Sequence, residues 1–471
     1  MAPAEGLDAR AATRRALLRV GVLAGGSTLL LPASWPGAQP ADGGLEPLAD
    51  ACRELYIFGL PALEMARARE RTIGARANEF RHVRALASAA SRRVTTPNND
   101  TLYSSAWLDL RHGPVELAIP STGARYFSLA LLDMHSNNFH IVGTRVTGGG
   151  GHRFRLLPPD ANAARGEVRA PTPWVWVQAR TLVADDTDLP AAHAVQDALQ
   201  ISSTRAGGSM SAATPGSATA YTSAAIPVAT AAPLTQLAAI ARLLDTEAPP
   251  APADRALLAR LRSLGLTTSA LKAAAGALAE TQLATAAERG VTAARREIAA
   301  TLAHPAIVDG WLYSRPSIGN FGTDYLYRAS IAVWGLAALP PVEAAYFRAV
   351  GPESGSIFDG RRNWRIRFAA DRLPPVGAFW SLSLYEAMPS GELFFFDNPL
   401  RRYAIGDRTP GLLRGSDSSL QIRISADDPG SAWRSNWLPC PRGPFALVLR
   451  AYLPGQPIID GTYRLPPLEP T

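Results

Sequence analysis

Residues 96–110 read Thr96-Pro97-Asn98-Asn99-Asp100-Thr101-Leu102-Tyr103-Ser104-Ser105-Ala106-Trp107-Leu108-Asp109-Leu110. Residues 133–145 read Asp133-Met134-His135-Ser136-Asn137-Asn138-Phe139-His140-Ile141-Val142-Gly143-Thr144-Arg145. Between them the apolar period is two. Val115, Leu117 and Ile119 alternate with Glu116 and Ala118, and 126–133 forms a second apolar run. Such alternation marks strands with one buried face. Residues 120–123 make a turn, 139–146 a third strand, and the glycine run 148–151 a hairpin loop. Residues 154–157 and 174–183 continue the pattern. Short strands with frequent turns predict a β-sandwich or barrel-like unit.

Outward from this core, 46–71 has helical spacing, with Leu55, Phe58, Leu60 and Leu63 as apolar positions and Pro61 expected to kink or interrupt it. A second helix is expected over 188–200, opening at Leu189-Pro190. Residues 202–232 are rich in Ser, Thr, Ala and Gly and read as a long loop or lid. Residues 233–303 read as a helical insertion, with Leu234, Leu237, Leu243 and Leu244 on one face. A further helix is expected over 324–339, stopped by Pro340-Pro341. The period of two returns at Trp364, Ile366 and Phe368, and strands follow over 379–385, 391–396, 420–424 and 445–452. The expected organisation is a leader and linker (1–45), an N-terminal β-rich domain (46–200), the loop (201–232), the helical insertion (233–303) and a C-terminal β-rich domain (304–471). The fold class is mainly β with a helical part.

A chain of 471 residues exceeds what one hydrophobic core organises, so two or three domains are expected. The net charge is +7, but the arginines are scattered without a basic block, which argues against nucleic-acid binding. Lys272 is the only lysine. Thr13-Arg14-Arg15-Ala16-Leu17-Leu18-Arg19 followed by the apolar stretch 20–31 resembles a twin-arginine export signal, too short for a membrane span. This predicts passage through the twin-arginine machinery and a periplasmic or otherwise exported location. Cys52 and Cys440 are far apart in sequence and read as two separate buried thiols.

No cofactor is called for. The seven histidines form no metal-ligand pattern; His135 and His140 are five apart, which fits neither helix nor strand spacing. No G-x-S-x-G nucleophile motif occurs. The glycine run at 148–151 matches neither a P-loop nor a dinucleotide fingerprint.

Several constellations are familiar. Asn98-Asn99-Asp100-Thr101-Leu102-Tyr103, Trp107-Leu108-Asp109, Arg125-Tyr126, Leu132-Asp133 and Gly143-Thr144-Arg145 resemble the domain of unknown function numbered 1254. Phe321-Gly322-Thr323-Asp324-Tyr325-Leu326-Tyr327-Arg328-Ala329, Phe379-Trp380-Ser381-Leu382, Asn436-Trp437-Leu438-Pro439 and Arg450-Ala451-Tyr452 are similar to its partner domain, numbered 1214. The resemblance covers most of the chain from about residue 50. It implies a pair of jelly-roll-like β-domains with a helical part, and no settled activity.

The candidate residues each carry two readings. Asn98, Asn99 and Asp100 are turn formers, or they present polar groups at a strand mouth. In the second case Asp100 serves as base, metal ligand or acceptor for a sugar hydroxyl, with Tyr103 as a nearby donor. Asp133 and Arg145 form a strand-locking ion pair, or Arg145 binds an anion with its planar fork. Asp324 and Arg328 form an i,i+4 pair, or Tyr325 and Arg328 present an anion-binding face. Trp174, Trp176, Gln178 and Arg180 share one strand face, as do Arg450 and Tyr452. Trp380 is core, or it lines a groove with Asn436 and Trp437. Two functions follow. One is an exported protein binding a sugar-like or acyl small molecule in a cleft between β-domains, through Asn99, Tyr103, Arg145, Tyr325, Arg328 and Trp380. The other is a periplasmic hydrolase using Asp100 as general base with Arg145 or Arg328 steadying anionic charge. Association into oligomers through sheet faces is compatible with both.

Overall fold

The computed structural model of the chain describes residues 44–73, 76–92, 94–203, 226–277, 281–303, 307–352 and 357–471. The expected export segment and most of the 202–232 stretch lie outside the described residues.

The alternation around residue 100 builds a β-sandwich. One sheet has the order β1 (Arg81–His82), β2 (Thr101–Asp109), β8 (Trp174–Leu182), β4 (Phe127–Leu132), β5 (Asn138–Gly143). The other has the order β7 (Val168–Arg169), β6 (His152–Leu157), β3 (Val115–Ile119), β9 (Gln200–Ser203). Between them lie Leu108, Leu117, Leu129, Val142, Phe154 and Val177, all buried. This is the core that a period of two demands, since every second side chain points into it.

The second half repeats the plan. A large sheet runs β10 (Ile307–Val308), β11 (Trp311–Tyr313), β12 (Ala344–Ala349), β20 (Pro444–Pro454), β15 (Val376–Ala387), β16 (Leu393–Phe394). Two short strands, β13 (Phe358–Asp359) and β17 (Ala404–Gly406), pair with β20 and β15. It packs on a sheet of order β19 (Trp437–Pro439), β18 (Leu420–Ser425), β14 (Trp364–Phe368), β21 (Glu469–Pro470), enclosing Ile366, Phe368, Leu382, Ile422 and Leu449. The chain is thus β-rich with a helical part, as the sequence periodicity indicates.

The helices form a third body of structure. Helix α1 (Leu45–Thr72) packs with α3 (Pro233–Thr246), α4 (Arg255–Ser263), α6 (Gln282–Ala303) and α7 (Tyr325–Trp334), and α5 (Thr268–Ala275) packs on α3 and α6. Phe58, Leu63 and Met65 of α1 are fully buried, and each such side chain stabilises by about 1.5–3 kcal/mol. Close approach of α1 to α3 is possible because Gly59 carries no side chain: a Cβ there would sit 2.1 Å from Ile240 Cγ2. The leading helix therefore belongs to the helical body formed mainly by the insertion. No helix of the described residues is long and apolar enough to cross a membrane.

Three local expectations are corrected. Helix α1 runs through Pro61 without interruption. Proline leaves the carbonyl four residues back without its helical partner, and the buried Arg328 Nη2 donates to the adjacent carbonyl, that of Phe58 (3.3 Å). The helix expected over 188–200 is α2 (Leu189–Asp197), because Gln200–Ser203 pairs with β3 instead. Helix α7 stops at Trp334 rather than 339. Beyond it Ala337 adopts the left-handed φ of 67°, a conformation a helix does not continue through.

Candidate functional site

The two large sheets face one another, and the strand register places arginines opposite each other across the gap. On the first sheet Arg180 of β8 pairs with Tyr103 of β2 on one side and Ser128 of β4 on the other. On the second sheet Arg450 of β20 pairs with Ser381 of β15 and Tyr346 of β12. Each arginine sits on a central strand with neighbours on both sides, which buries most of its long side chain. Both are about 5% exposed.

The loop ahead of β2 fastens the sheets together. Asn98 Nδ2 has Tyr452 Oη at 2.9 Å, Thr101 Oγ1 at 3.0 Å and Tyr103 Oη at 3.2 Å. Arg450 Nη2 donates to the carbonyl of Thr96 (2.9 Å), and Tyr385 Oη to the carbonyl of Pro97 (2.8 Å). Two ion pairs cross the gap in opposite senses. Asp100 of the first half meets Arg408 of the second at 3.0 Å and also accepts from Ser381 Oγ at 2.6 Å. Glu343 of the second half meets Arg145 of the first at 2.7 Å and accepts from Tyr126 Oη at 3.0 Å.

Arg180 and Arg450 are different. Neither forms an ion pair with a carboxylate among the described residues. Arg450 is held by neutral groups: Ser383 Oγ (3.0 Å), Tyr385 Oη (2.8 Å) and the Thr96 carbonyl. Arg180 donates from Nη2 to the carbonyl of Ala337 (3.1 Å), and its Nη1 is buried without a partner. Its guanidinium lies 5.3 Å from the centre of the Tyr103 ring. Burial works to raise the Tyr103 phenol, but the Arg180 charge, the Asn98 hydrogen bond and Arg450 outweigh it and leave the phenol below its ordinary value. Tyr452 goes the other way: burial first, then the Asp100 carboxylate, push it well up. Tyr126 is pushed up by burial and by Glu343. A buried cation without a counter-charge is costly. The arrangement suits an incoming anion, because the buried Arg180 Nη1 carries protons that no acceptor takes.

The residues singled out in the sequence do not form one site. Asp100 and Tyr103 are at the sheet-to-sheet gap. Arg145 is there too, but on Glu343; the expected Asp133–Arg145 pair does not form, since Asp133 accepts from the backbone of His135 and Asn137 within its own turn. Asn99 is turned to the carbonyl of Ala87 (2.6 Å). Tyr325 and Arg328 belong to the helical body: Tyr325 Oη donates to Asp254 (2.7 Å), and Arg328 lies against the rings of Phe58 and Tyr325. Burial lowers the Arg328 guanidinium, opposed by Asp133 and Asp254. The expected Asp324–Arg328 pair is replaced by Asp324 with Arg315 and by a cap on Tyr327 N–H. Trp380 lies inside the second sandwich at 2% exposure, so it lines no groove. Trp437 is also buried, its indole N–H bound to the Ser425 carbonyl. Among the described residues no three His, Cys, Asp or Glu converge to hold a metal ion. Tyr346, Glu343 and Arg408 of the gap are not among the residues expected from the sequence. Tyr346 alternates with Phe347 along β12, a usable signal; nothing local marks the other two.

Residues 77–203 match the family described as Protein of unknown function (DUF1254), and residues 343–456 that described as Protein of unknown function (DUF1214). The chain carries both domains, in that order. Both contribute to the gap: Asp100, Tyr103 and Arg180 come from the first, Tyr346, Arg408 and Arg450 from the second. Comparison with curated proteins gives no match. Among solved structures, the VPA0106 protein from Vibrio parahaemolyticus is similar over 90% of this chain and all of its own, with 22% identity and a TM-score of 0.67. That likeness is one of fold. A putative uncharacterized protein from Burkholderia cenocepacia aligns with 88% of this chain and 92% of its own at 13% identity and a TM-score of 0.40.

Proposed function

We propose that this chain is an exported envelope protein that binds a small acid, sugar-like or acyl, in the gap between its two large sheets. The ligand's carboxylate sits between Arg180 and Arg450. The observation that carries this reading is the pair of buried guanidiniums without a carboxylate partner, one of which keeps an unpartnered Nη1. Arginine's planar fork matches a carboxylate in two-point contact. Asn98 serves the Tyr103 and Tyr452 oxygens as a donor, which leaves those phenol protons free for an acceptor. The hydrolase alternative asks Asp100 to take a proton, and both its oxygens are already engaged by Ser381 and Arg408. The twin-arginine-type segment supports the exported location.

The test is titration calorimetry of galacturonate and decanoate into the wild-type chain and into Arg180→Met. Binding of at least one acid that falls tenfold or more in Arg180→Met is the expected result. Neither acid binding the wild-type chain, or binding indifferent to Arg180, overturns the reading.

A further inference from the structure

The inner face of the first sheet does not end at Arg180. Strands β2 and β8 pair Tyr103 with Arg180, Ser105 with Gln178 and Trp107 with Trp176. These are alternate residues on both strands, so the three pairs share one face and follow one another at roughly 7 Å intervals. Each pair offers a different chemistry. The first offers a guanidinium and a phenol. In the second, Ser105 Oγ accepts from Trp176 Nε1 (2.8 Å) and Gln178 Nε2 (2.9 Å). Its lone pairs are then spent and its own proton is unspent, beside the Gln178 carbonyl oxygen. A donor next to an acceptor is the complement of a hydroxyl. In the third, the two indoles stack with centroids 5.1 Å apart and planes 5° apart. Both indole N–H groups are occupied, by Thr72 and Ser105, so this end presents flat apolar carbon.

Accessible surface is confined to this face but does not cover it: Tyr103, Ser105 and Trp176 keep some, their partners Arg180, Gln178 and Trp107 are buried, and the alternating residues Ala106, Val175 and Val177 are buried in the sandwich. The segment after α7 lies toward the opposite side of the sheet, with the Ala337 carbonyl on Arg180 and the Ala338 carbonyl on Asn138 of β5.

We infer that the ligand is a uronic-acid sugar of at least two rings, lying along β2 and β8. Its carboxylate is at Arg180, its ring hydroxyls are at Ser105 and Gln178, and its second ring lies against Trp176. The ring hydroxyls satisfy the middle pair, and the C–H face of the next ring packs on the indole. An alkyl chain would strip water from Ser105 and Gln178 and return no hydrogen bond. The inference rests on the acid-binding reading above and narrows it to one chemical class.

The experiment titrates digalacturonate, galacturonate, lactose and decanoate into the full chain, with Gln178→Met and Ser105→Ala as variants whose fold is checked by circular dichroism. Digalacturonate is expected to bind at least tenfold more tightly than galacturonate. Lactose, which lacks the carboxylate, is expected not to bind. Either variant is expected to weaken digalacturonate at least fivefold and not to weaken decanoate, whose chain loses no hydrogen bond there. Decanoate binding in an Arg180-dependent way with digalacturonate inert overturns this inference and leaves the acid-binding reading standing. Digalacturonate binding equally to wild type and both variants overturns it as well. If no acid binds the wild-type chain, the acid-binding reading itself fails.

Discussion

Asp100→Asn separates the two roles open to the carboxylate. The substitution removes a charge and keeps the shape. The Asp100 side chain is 4% exposed, Arg408 beside it 27%. Removing one member of a fully buried pair costs about 3–5 kcal/mol. Water reaches Arg408, which screens part of the interaction, so the loss is set nearer one charged hydrogen bond, about 2 kcal/mol. Asn retains an acceptor for Ser381 Oγ. The melting temperature is expected to fall by several degrees, since about 2–4 °C accompanies each kcal/mol for a large domain. Ligand affinity is expected to move the other way. The Asp100 charge acts on Arg450, so it opposes an anion at that arginine, and its removal strengthens carboxylate binding. Scanning calorimetry of wild type, Asp100→Asn, Arg408→Met and the double variant gives the stability side. The double variant should lose less than the sum, by at least about 1 kcal/mol for side chains in contact. Galacturonate titration gives the binding side. A normally folded Asp100→Asn that is as stable as wild type, or that binds acids more weakly, would refute this account of the charge.

Other outcomes are as definite. Arg180→Met, which weakens acid binding, should leave stability unchanged or raise it in a thermal melt, because a buried cation without a counter-charge is removed; a marked fall would mean that Arg180 is structural. Gly59→Ala should destabilise by about 1–3 kcal/mol through the clash with Ile240, and Ile240→Ala in the same chain should restore much of the loss; a neutral Gly59→Ala in the same melt would contradict the helix contact. Burial pushes the Cys52 and Cys440 thiols up to about 12, and neither is paired. A thiol-specific dye without reductant should therefore find no reactive thiol in the native protein at about pH 8 and two after denaturation; finding none after denaturation would mean a disulfide. The hydrogen bond from Arg125 holds Asp188 below its ordinary value against the effect of burial. A depressed carboxylate stabilises the fold at neutral pH and loses that contribution as pH falls through its folded value. Asp188→Asn should thus cost about 1 kcal/mol at pH 7, with the gap to wild type closing below about pH 4; a gap independent of pH would rule out the ion pair as its source.

Much of the fold was legible because its signals are local. The alternation at Val115, Leu117 and Ile119 became β3, and the leucine spacing after Pro233 became α3; the glycine run became a loop, but one that joins β5 to β6 of the other sheet and not the hairpin expected. The local failures share a cause. Gln200–Ser203 has no strong strand pattern and is a strand because β3 offers it an edge. Pro61 is a helix breaker by itself and is tolerated in a helix packed on all sides and met by Arg328. Ion pairs guessed from spacing, Asp133 with Arg145 and Asp324 with Arg328, were outcompeted by Glu343 and Arg315.

By itself the sequence determined which residues alternate, and therefore that Tyr103 and Trp107 share one face of a strand, as do Trp176 and Arg180, or Arg450 and Tyr452. Side-chain direction in a strand depends only on parity along the chain, so no partner is needed to know it. Only the tertiary structure decided that these faces meet. Arg180 and Arg450 are 270 residues apart and Asp100 and Arg408 are 308 apart, and no local interaction couples such positions. The pairing came from docking two sandwiches face to face, which buried charges that the sequence shows merely as scattered arginines. It also took Tyr325, Arg328 and Trp380 out of the site, because the packing of helix and core claimed them first.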